Sequence, residues 1–398
     1  MYHMIQIGLE RLLAGDWPVP AGKRLGLLSN QASTDSRLRH GRLLLQEKFG
    51  EQLTCLFSPQ HGFFSEKQDN MVESAHQTDG KTGLPIYSLY GESRRPTADM
   101  FEKLDILLID IVDVGTRVYT FLNTMAYCLE AAAQYGKKVL VLDRPTPLGG
   151  LEVEGNILRP ECASFVGLYP LPMRHGLTFG ELALYINREF AIGADLEVVP
   201  MRGWQRRMLF LDTGFPWVFP SPNMPTPETA MVYPGQVIWE GTNISEGRGT
   251  TLPFELVGAP FWQCDEILEY LAATPLSGCF FRPLVFEPTS GKWAQTACNG
   301  FQLHVTDATA FRPYRTSLAL LQAVVRLYPQ EFRYKEPPYE YEHERLPMDL
   351  ILGDGEVRRL LEDGVSIMKL EESWQKGLDD FKQRRRGCFL YELSEEQG

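Results

Sequence analysis

Four short apolar runs punctuate the first 142 residues, and each gives way to polar residues: Arg24 to Ser29 (RLGLLS), Leu53 to Phe57 (LTCLF), Leu104 to Ile111 (LDILLIDI) and Lys138 to Leu142 (KVLVL). None alternates cleanly between apolar and polar positions, which is the pattern of strands covered on both faces, as in a parallel sheet. Helical spacing fills the gaps. Leu38, Leu45 and Phe49 lie between the first two runs, in a stretch from Ser36 to Lys48 that Gly41 weakens. Phe121, Met125, Leu129 and Ala132 recur every three or four residues in the stretch from Tyr119 to Tyr135. Gly136 followed by Lys137 and Lys138 then supplies a helix stop. Strand, helix and strand with short links build right-handed βαβ units, and repeating them predicts an α/β domain with an open parallel sheet covered by helices.

The pattern changes at Phe215. From there to Pro227 the chain carries Pro216, Pro220, Pro222, Pro225 and Pro227, which exclude helix and central strand. The stretch predicts either a crossing between domains or an ordered loop lining a cleft. Beyond it the signals are mixed: a strand at Gly300 to Val305 and helices at Ser317 to Leu327 and Glu356 to Leu361. The reading is two domains, 1–228 and 229–398, the second a smaller α+β unit.

Composition narrows the function. A formal net charge of −12 over 398 residues argues against a nucleic-acid partner, which requires a basic face. The apolar stretch from Leu104 to Val114 is broken by Asp105, Asp110 and Asp113, too short and too charged to span a bilayer. Seven cysteines without a C-x-x-C pair fit a reducing compartment, and no basic-then-apolar start is visible, so a cytoplasmic location is expected.

In an open parallel sheet, ligands bind outside the carboxyl ends of the strands. The residues there are Asn30 and Gln31, Gln60 and His61, Asp110 and Asp113, and Asp143 and Arg144. Asp110 follows an apolar run, so its carboxylate needs a partner, which Arg117 or Arg144 could supply. Thr178 and Glu181 stand at capping-box spacing and open a helix from Glu181 to Phe190, leaving His175 and Gly176 just before it without a structural reason. The stretch Glu240 to Thr250 is rich in glycine and charge; it misses the P-loop pattern but offers Glu240 and Glu246 as catalytic carboxylates. No nucleophile elbow, no H-E-x-x-H helix and no G-x-G-x-x-G after the first strand occurs, so neither zinc nor a dinucleotide is expected. A carboxylate-rich cleft with Phe63, Phe64, Tyr119, Trp217 and Trp239 nearby suits a sugar, across whose glycosidic bond two carboxylates can act as acid and base or acid and nucleophile.

Motifs along nearly the whole chain resemble one family. They include GLLSNQAS (26–33), FSPQHGFFSEKQDN (57–70), DILLIDIVDVGTRVYTFLNT (105–124), VLDRPTPLGGLEVEG (141–155), RHGLTFGELA (174–183), PSPNMPTPETAMVYPG (220–235) and EGTNISEGRGTTLPFELVGAP (240–260). The family is that of the exo-β-N-acetylmuramidases of the NamZ type, formerly a domain of unknown function. The resemblance implies a Rossmann-like N-terminal domain, a smaller C-terminal domain and a cleft between them. It also implies release of a terminal N-acetylmuramic acid from peptidoglycan fragments, with no metal or organic cofactor.

Two positions depart from the family pattern. The usual Pro-Glu-His-Gly reads Pro59-Gln60-His61-Gly62, and the usual Asp-x-Gln-Asp-x-Gly reads Asp110-Ile111-Val112-Asp113-Val114-Gly115. A glutamine is neither a general acid nor a carboxylate nucleophile. The remaining candidates are Glu246, Glu240, Asp110, Asp113 and Glu66, and the reading favours Glu246 with Asp113. His61, Arg117, Asn243 and Arg248 are expected to hold hydroxyls or the lactyl carboxylate, for which arginine is geometrically suited. Asn30, Gln60, Tyr119, Asp143, Arg144, His175 and Asn223 complete the expected sugar site. Two alternatives stay open: an inactive sugar- or muropeptide-binding homologue, and a hydrolase that uses Asp110 and Asp113 with a divalent ion.

Overall fold

A computed structural model describes residues 5–68 and 71–392. Its larger sheet contains β1 (Leu25–Ser29), β2 (Leu53–Ser58), β3 (Gln77–Thr78), β4 (Pro85–Ser88), β5 (Ile106–Asp110), β6 (Lys138–Leu142) and β7 (Asp195–Val199), in the spatial order β3-β4-β2-β1-β5-β6-β7. All neighbours pair in parallel except the two-residue β3, which runs antiparallel to β4 at the edge. Taken in chain order, the six parallel strands lie 3-2-1-4-5-6, the doubly wound arrangement, with the reversal between β1 and β5.

The four apolar runs became β1, β2, β5 and β6. Their lack of alternation has the expected cause. Along β1, Leu25 and Leu27 face one buried cluster with Leu108 and Leu140, while Leu28 faces the other with Ile109 and Val141. Five helices accompany this sheet: α1 (Gly8–Ala14), α2 (Gly41–Phe49), α3 (Ala98–Phe101), α4 (Phe121–Tyr135) and α5 (Phe179–Glu189). Helix α2 starts at Gly41 rather than Ser36, because Asp35 and His40 hold the preceding segment in a turn; Asp35 accepts from the backbone of Arg37 and Arg39, and His40 caps Arg42.

A three-stranded antiparallel sheet follows, ordered β8 (Leu256–Ala259), β10 (Cys298–Val305), β9 (Cys279–Phe286). With it go α6 (Pro227–Gln236), α7 (Cys264–Leu271), α8 (Pro313–Leu327), α9 (Pro347–Leu352), α10 (Gly355–Glu362) and α11 (Ile367–Arg385). One hydrophobic cluster is continuous from Ile109 and Val141 of the first sheet to Trp239, Trp262, Leu320 and Phe381. Polar ties reinforce the junction. The fully buried Arg117 guanidinium donates to the carbonyls of Asn156 and Leu171 (3.0 Å each), and to those of Ile351 (3.0 Å) and Leu352 (2.7 Å) at the end of α9. Tyr391 returns to the first sheet, where its hydroxyl donates to Asp143 at 2.5 Å. Among the described residues no helix is long and apolar enough to cross a membrane.

Candidate active site

Strand β2 ends at Ser58, and the chain turns sharply through Gln60, His61 (φ 73°) and Gly62 (φ 83°). A left-handed histidine is uncommon and costs about 1–3 kcal/mol unless its surroundings hold it. They do so here: the His61 Nδ1–H donates to the Lys67 carbonyl at 2.8 Å. A second strained turn faces the first from the far half of the chain, with Glu340 at φ 47° and Tyr341 at φ 66°. The two turns meet through side chains. Gln60 Nε2 donates to Glu340 Oε1 and to Tyr90 Oη, both at 3.1 Å. Thr120 Oγ1 donates to Gln60 Oε1 at 2.5 Å, and the Tyr90 hydroxyl donates to Glu340 Oε2 at 2.7 Å.

Between these turns lies a cavity with about 460 Å³ of empty space, part of it continuous with solvent. It is lined on one side by Gln60, His61, Tyr119 and Thr120, on another by Ser221 and Asn223 of the proline-rich segment, and on the third by Glu240, Arg248, Tyr339 and Glu340. Thus the proline-rich stretch is a cleft wall. Its position is fixed by Asn223, which exchanges hydrogen bonds with Gln68 (2.9 and 3.2 Å), and by Ser65 Oγ, which donates to the Pro220 carbonyl at 3.0 Å. The glycine-rich loop brings Arg248 in. Gly247 sits at φ 79°, where a Cβ would meet the Leu256 carbonyl at 2.8 Å, so the backbone can pass there only without a side chain.

The two carboxylates on the cavity wall stand in opposite environments. Glu240 receives a hydrogen bond from Arg248 Nη2 and one from the Tyr339 hydroxyl, both 2.6 Å. Burial alone would push its pKa up, but the Arg248 charge and the Tyr339 bond outweigh burial and hold it below the ordinary glutamate value. Glu340 receives bonds only from the neutral Tyr90 and Gln60 among the described residues; there burial, aided by the Glu240 charge, wins over those bonds and the Arg94 charge, and its pKa is raised.

The strand-end residues divide into those that reach this cavity and those that turn inward. Gln60, His61, Tyr119, Asn223, Glu240 and Arg248 reach it. Asp110 instead forms a buried two-pronged ion pair with Arg144, at 2.5 and 2.9 Å. Asp143 accepts from Thr178, from the Gly180 amide and from Tyr391, and burial raises it to about 6. Asn30 accepts from the Ala32 amide at 3.1 Å and shapes the turn after β1. Arg117 is committed to backbone carbonyls, as described above. His175 is buried beside Arg385; its Nδ1 accepts from the Leu177 amide, and desolvation lowers it to about 3, so it stays neutral. Asn243 bonds the backbone of Glu331 and Arg333.

The favoured pair, Glu246 and Asp113, is not brought to the cavity wall. Glu246 is neutralised by Lys292 (2.7 Å) and Arg248 (3.3 Å) and steadies the latter from behind. Asp113 is buried behind Tyr119, accepts from the Gly115 amide at 2.7 Å, and is raised to about 7 by desolvation. Glu66 accepts from the Phe64 amide, and Asp69 and Asn70 of the same motif lie outside the described residues. Sequence reasoning passed over Glu340, Tyr339 and Tyr90. The available signal for the first two was the run Tyr339-Glu340-Tyr341-Glu342 after two prolines, an alternation of aromatics and acids.

Two carboxylates in opposite environments facing one small cavity at the end of a doubly wound sheet form the kind of arrangement that carboxylate-based glycosidases use. Comparison with known proteins then places it. Family models described as the N-terminal and C-terminal parts of exo-β-N-acetylmuramidase NamZ match residues 25–228 and 231–391, and the chain belongs to the NamZ family. The peptidoglycan β-N-acetylmuramidase NamZ of Bacillus subtilis (strain 168) is 45% identical over 387 residues, covering 97% of this chain and 91% of the relative. Two crystal structures of DUF1343 family proteins from Bacteroides fragilis are similar throughout. One has a TM-score of 0.87 at 32% identity and the other 0.75 at 29%, and in each case 98% of this chain and 99% of the other are covered.

Proposed function

We propose that the protein is an exo-acting β-N-acetylmuramidase that releases terminal N-acetylmuramic acid from peptidoglycan fragments. The observation that carries this is the pairing of Glu240 and Glu340 across a single cavity of about 460 Å³. We read this cavity as the seat of the single terminal sugar. His61, Asn223 and Arg248 are placed to hold its polar groups, and the reaction requires neither metal nor organic cofactor. Residues 1–228 supply the sheet end and 229–398 the opposing carboxylates. The seven unpaired thiols support a reducing, cytoplasmic setting in which wall fragments are recycled.

The test is release of N-acetylmuramic acid from a MurNAc-GlcNAc disaccharide, with chromogenic β-MurNAc and β-GlcNAc substrates alongside, in the presence and absence of a chelator. Chelator-insensitive release of muramic acid is expected. No release from any of them by folded protein overturns the proposal and favours a muropeptide-binding role, for which the amide at Gln60 is the specific argument.

A further inference from the structure

We propose that Glu340 is the general acid of this site, giving its proton to the glycosidic oxygen, and that Glu240 is the ionised carboxylate that works opposite it. The inference rests on the muramidase reading and names the acting residues within it.

The geometry separates the two roles. Glu340 lines the cavity, and both its oxygens are held by neutral donors, Gln60 Nε2 at 3.1 Å and the Tyr90 hydroxyl at 2.7 Å. Neutral donors orient a carboxyl group without cancelling its charge, so a buried carboxyl held this way keeps a proton more readily than one beside a cation. Glu240 has that cation, Arg248 at 2.6 Å, and stays anionic. Two carboxyl groups whose surroundings push their proton affinities apart are the arrangement that assigns acid and base in a glycosidase. Gln60 matters for the same reason: an amide fills the position next to Glu340 with a group that neither competes for the proton nor repels the carboxylate.

One segment also sets both groups. Tyr339 holds Glu240 through its hydroxyl at 2.6 Å, and the next residue is Glu340, fixed in the left-handed region at φ 47°. Strain of this kind persists where the surrounding structure requires it and concentrates at reacting sites. Other buried acids with raised proton affinity, Asp113, Asp143 and Glu154, do not line the cavity.

The step balances as follows. The bond from the anomeric carbon to the glycosidic oxygen breaks, its electron pair leaves with the oxygen, and the Glu340 proton joins that oxygen to give the alcohol. Water adds its oxygen to the anomeric carbon, and its displaced proton returns to the carboxylate pair, restoring one protonated and one ionised member. The charged and titratable groups around Glu340 are Tyr90, Arg94, Tyr233, Glu240, Tyr339 and Tyr341.

The test uses aryl β-MurNAc substrates whose leaving groups run from 2,4-dinitrophenol to phenol, with the disaccharide at the end of the series. Glu340→Gln is expected to lower kcat/KM by about 100-fold or more on the phenyl substrate and the disaccharide, the usual size of a lost acid. On the dinitrophenyl substrate, which leaves without a proton, the loss should be within about 10-fold, and the alkaline limb of the pH profile should vanish. A uniform loss along the series, or a retained alkaline limb, overturns the assignment. Tyr90→Phe serves if Glu340→Gln does not fold. It removes the 2.7 Å bond that favours the ionised form, so the alkaline limb should move to higher pH, and an unmoved limb refutes the role. A wild-type protein that cleaves none of the series defeats the muramidase reading itself, which is a separate result.

Discussion

Replacing Gln60 by glutamate tests the contact on which the site is built. In the present structure Gln60 Nε2 lies 3.1 Å from Glu340 Oε1. A carboxylate oxygen in that place would face another at the same distance. With an effective dielectric constant of about 20, two unit charges so close repel by roughly 5 kcal/mol, equivalent to nearly four pH units at about 1.4 kcal/mol each. The pair therefore shares one proton and titrates as a unit, with its second ionisation moved well above the ordinary value. The sign for stability follows. Between about pH 4.3, where an unfolded glutamate ionises, and the raised value, the folded variant binds one proton more than the unfolded chain. Wild type behaves alike while Glu340, whose proton affinity burial raises, keeps its proton; from the pH at which that proton leaves, the variant loses about 1.4 kcal/mol per pH unit relative to wild type. Gln60→Glu should therefore track the wild-type pH dependence at acid pH and fall progressively below it once wild-type Glu340 ionises, by up to the roughly 5 kcal/mol of the repulsion. Urea unfolding of both proteins from pH 4 to 8 measures this directly. A difference independent of pH would falsify the contact between residues 60 and 340.

Two further substitutions separate structural acids from reacting ones. Asp110→Asn strips the counter-charge from the buried Arg144 and should lower stability by about 3–5 kcal/mol in denaturant unfolding, while kcat per folded molecule stays within about twofold; a selective loss of kcat would return Asp110 to the reaction. Asp113 is held protonated to about 7 by burial, so above its unfolded value it destabilises the fold progressively. Asp113→Asn keeps an acceptor for the Gly115 amide and should gain about 1.4 kcal/mol over wild type for each pH unit between about 4 and 7; a flat difference across that window would show that Asp113 is ionised in the folded protein.

What the sequence disclosed follows from burial. Strands β1, β2, β5 and β6 are apolar on both faces, so five or six residues sufficed to reveal them. Strand β7 escaped because it is a partly exposed edge bearing Asp195 and Glu197, and β4 because it is four residues beginning at a proline. The rule that ligands gather at strand ends named positions correctly but not directions. Gln60 and His61 turn outward because the backbone there enters the left-handed region, whereas Asp110 and Asp143 turn inward because Arg144, Thr178 and Tyr391 satisfy them. Nothing in a strand-end register distinguishes a carboxylate that will find a partner 34 residues away in sequence from one that will face a ligand.

Glu340 was invisible for a different reason. Its properties come from Gln60, 280 positions earlier, and from Tyr90, 250 positions earlier, so no local window contains them. Read without that contact, Gln60 looks like the loss of an acid. With it, the glutamine becomes part of how an acid is kept: two carboxyl groups cannot both ionise at 3.1 Å, and an amide in the first position leaves the second as a single site with one proton affinity. The amide still donates to Glu340 and accepts from Thr120, so it retains the geometry of the turn while removing the charge. On this reading the departure at position 60 shifts the proton across the cleft rather than abolishing its transfer. The chemistry then depends on whether the strained turn at Glu340 and Tyr341 is kept, more than on whether residue 60 is a carboxylate.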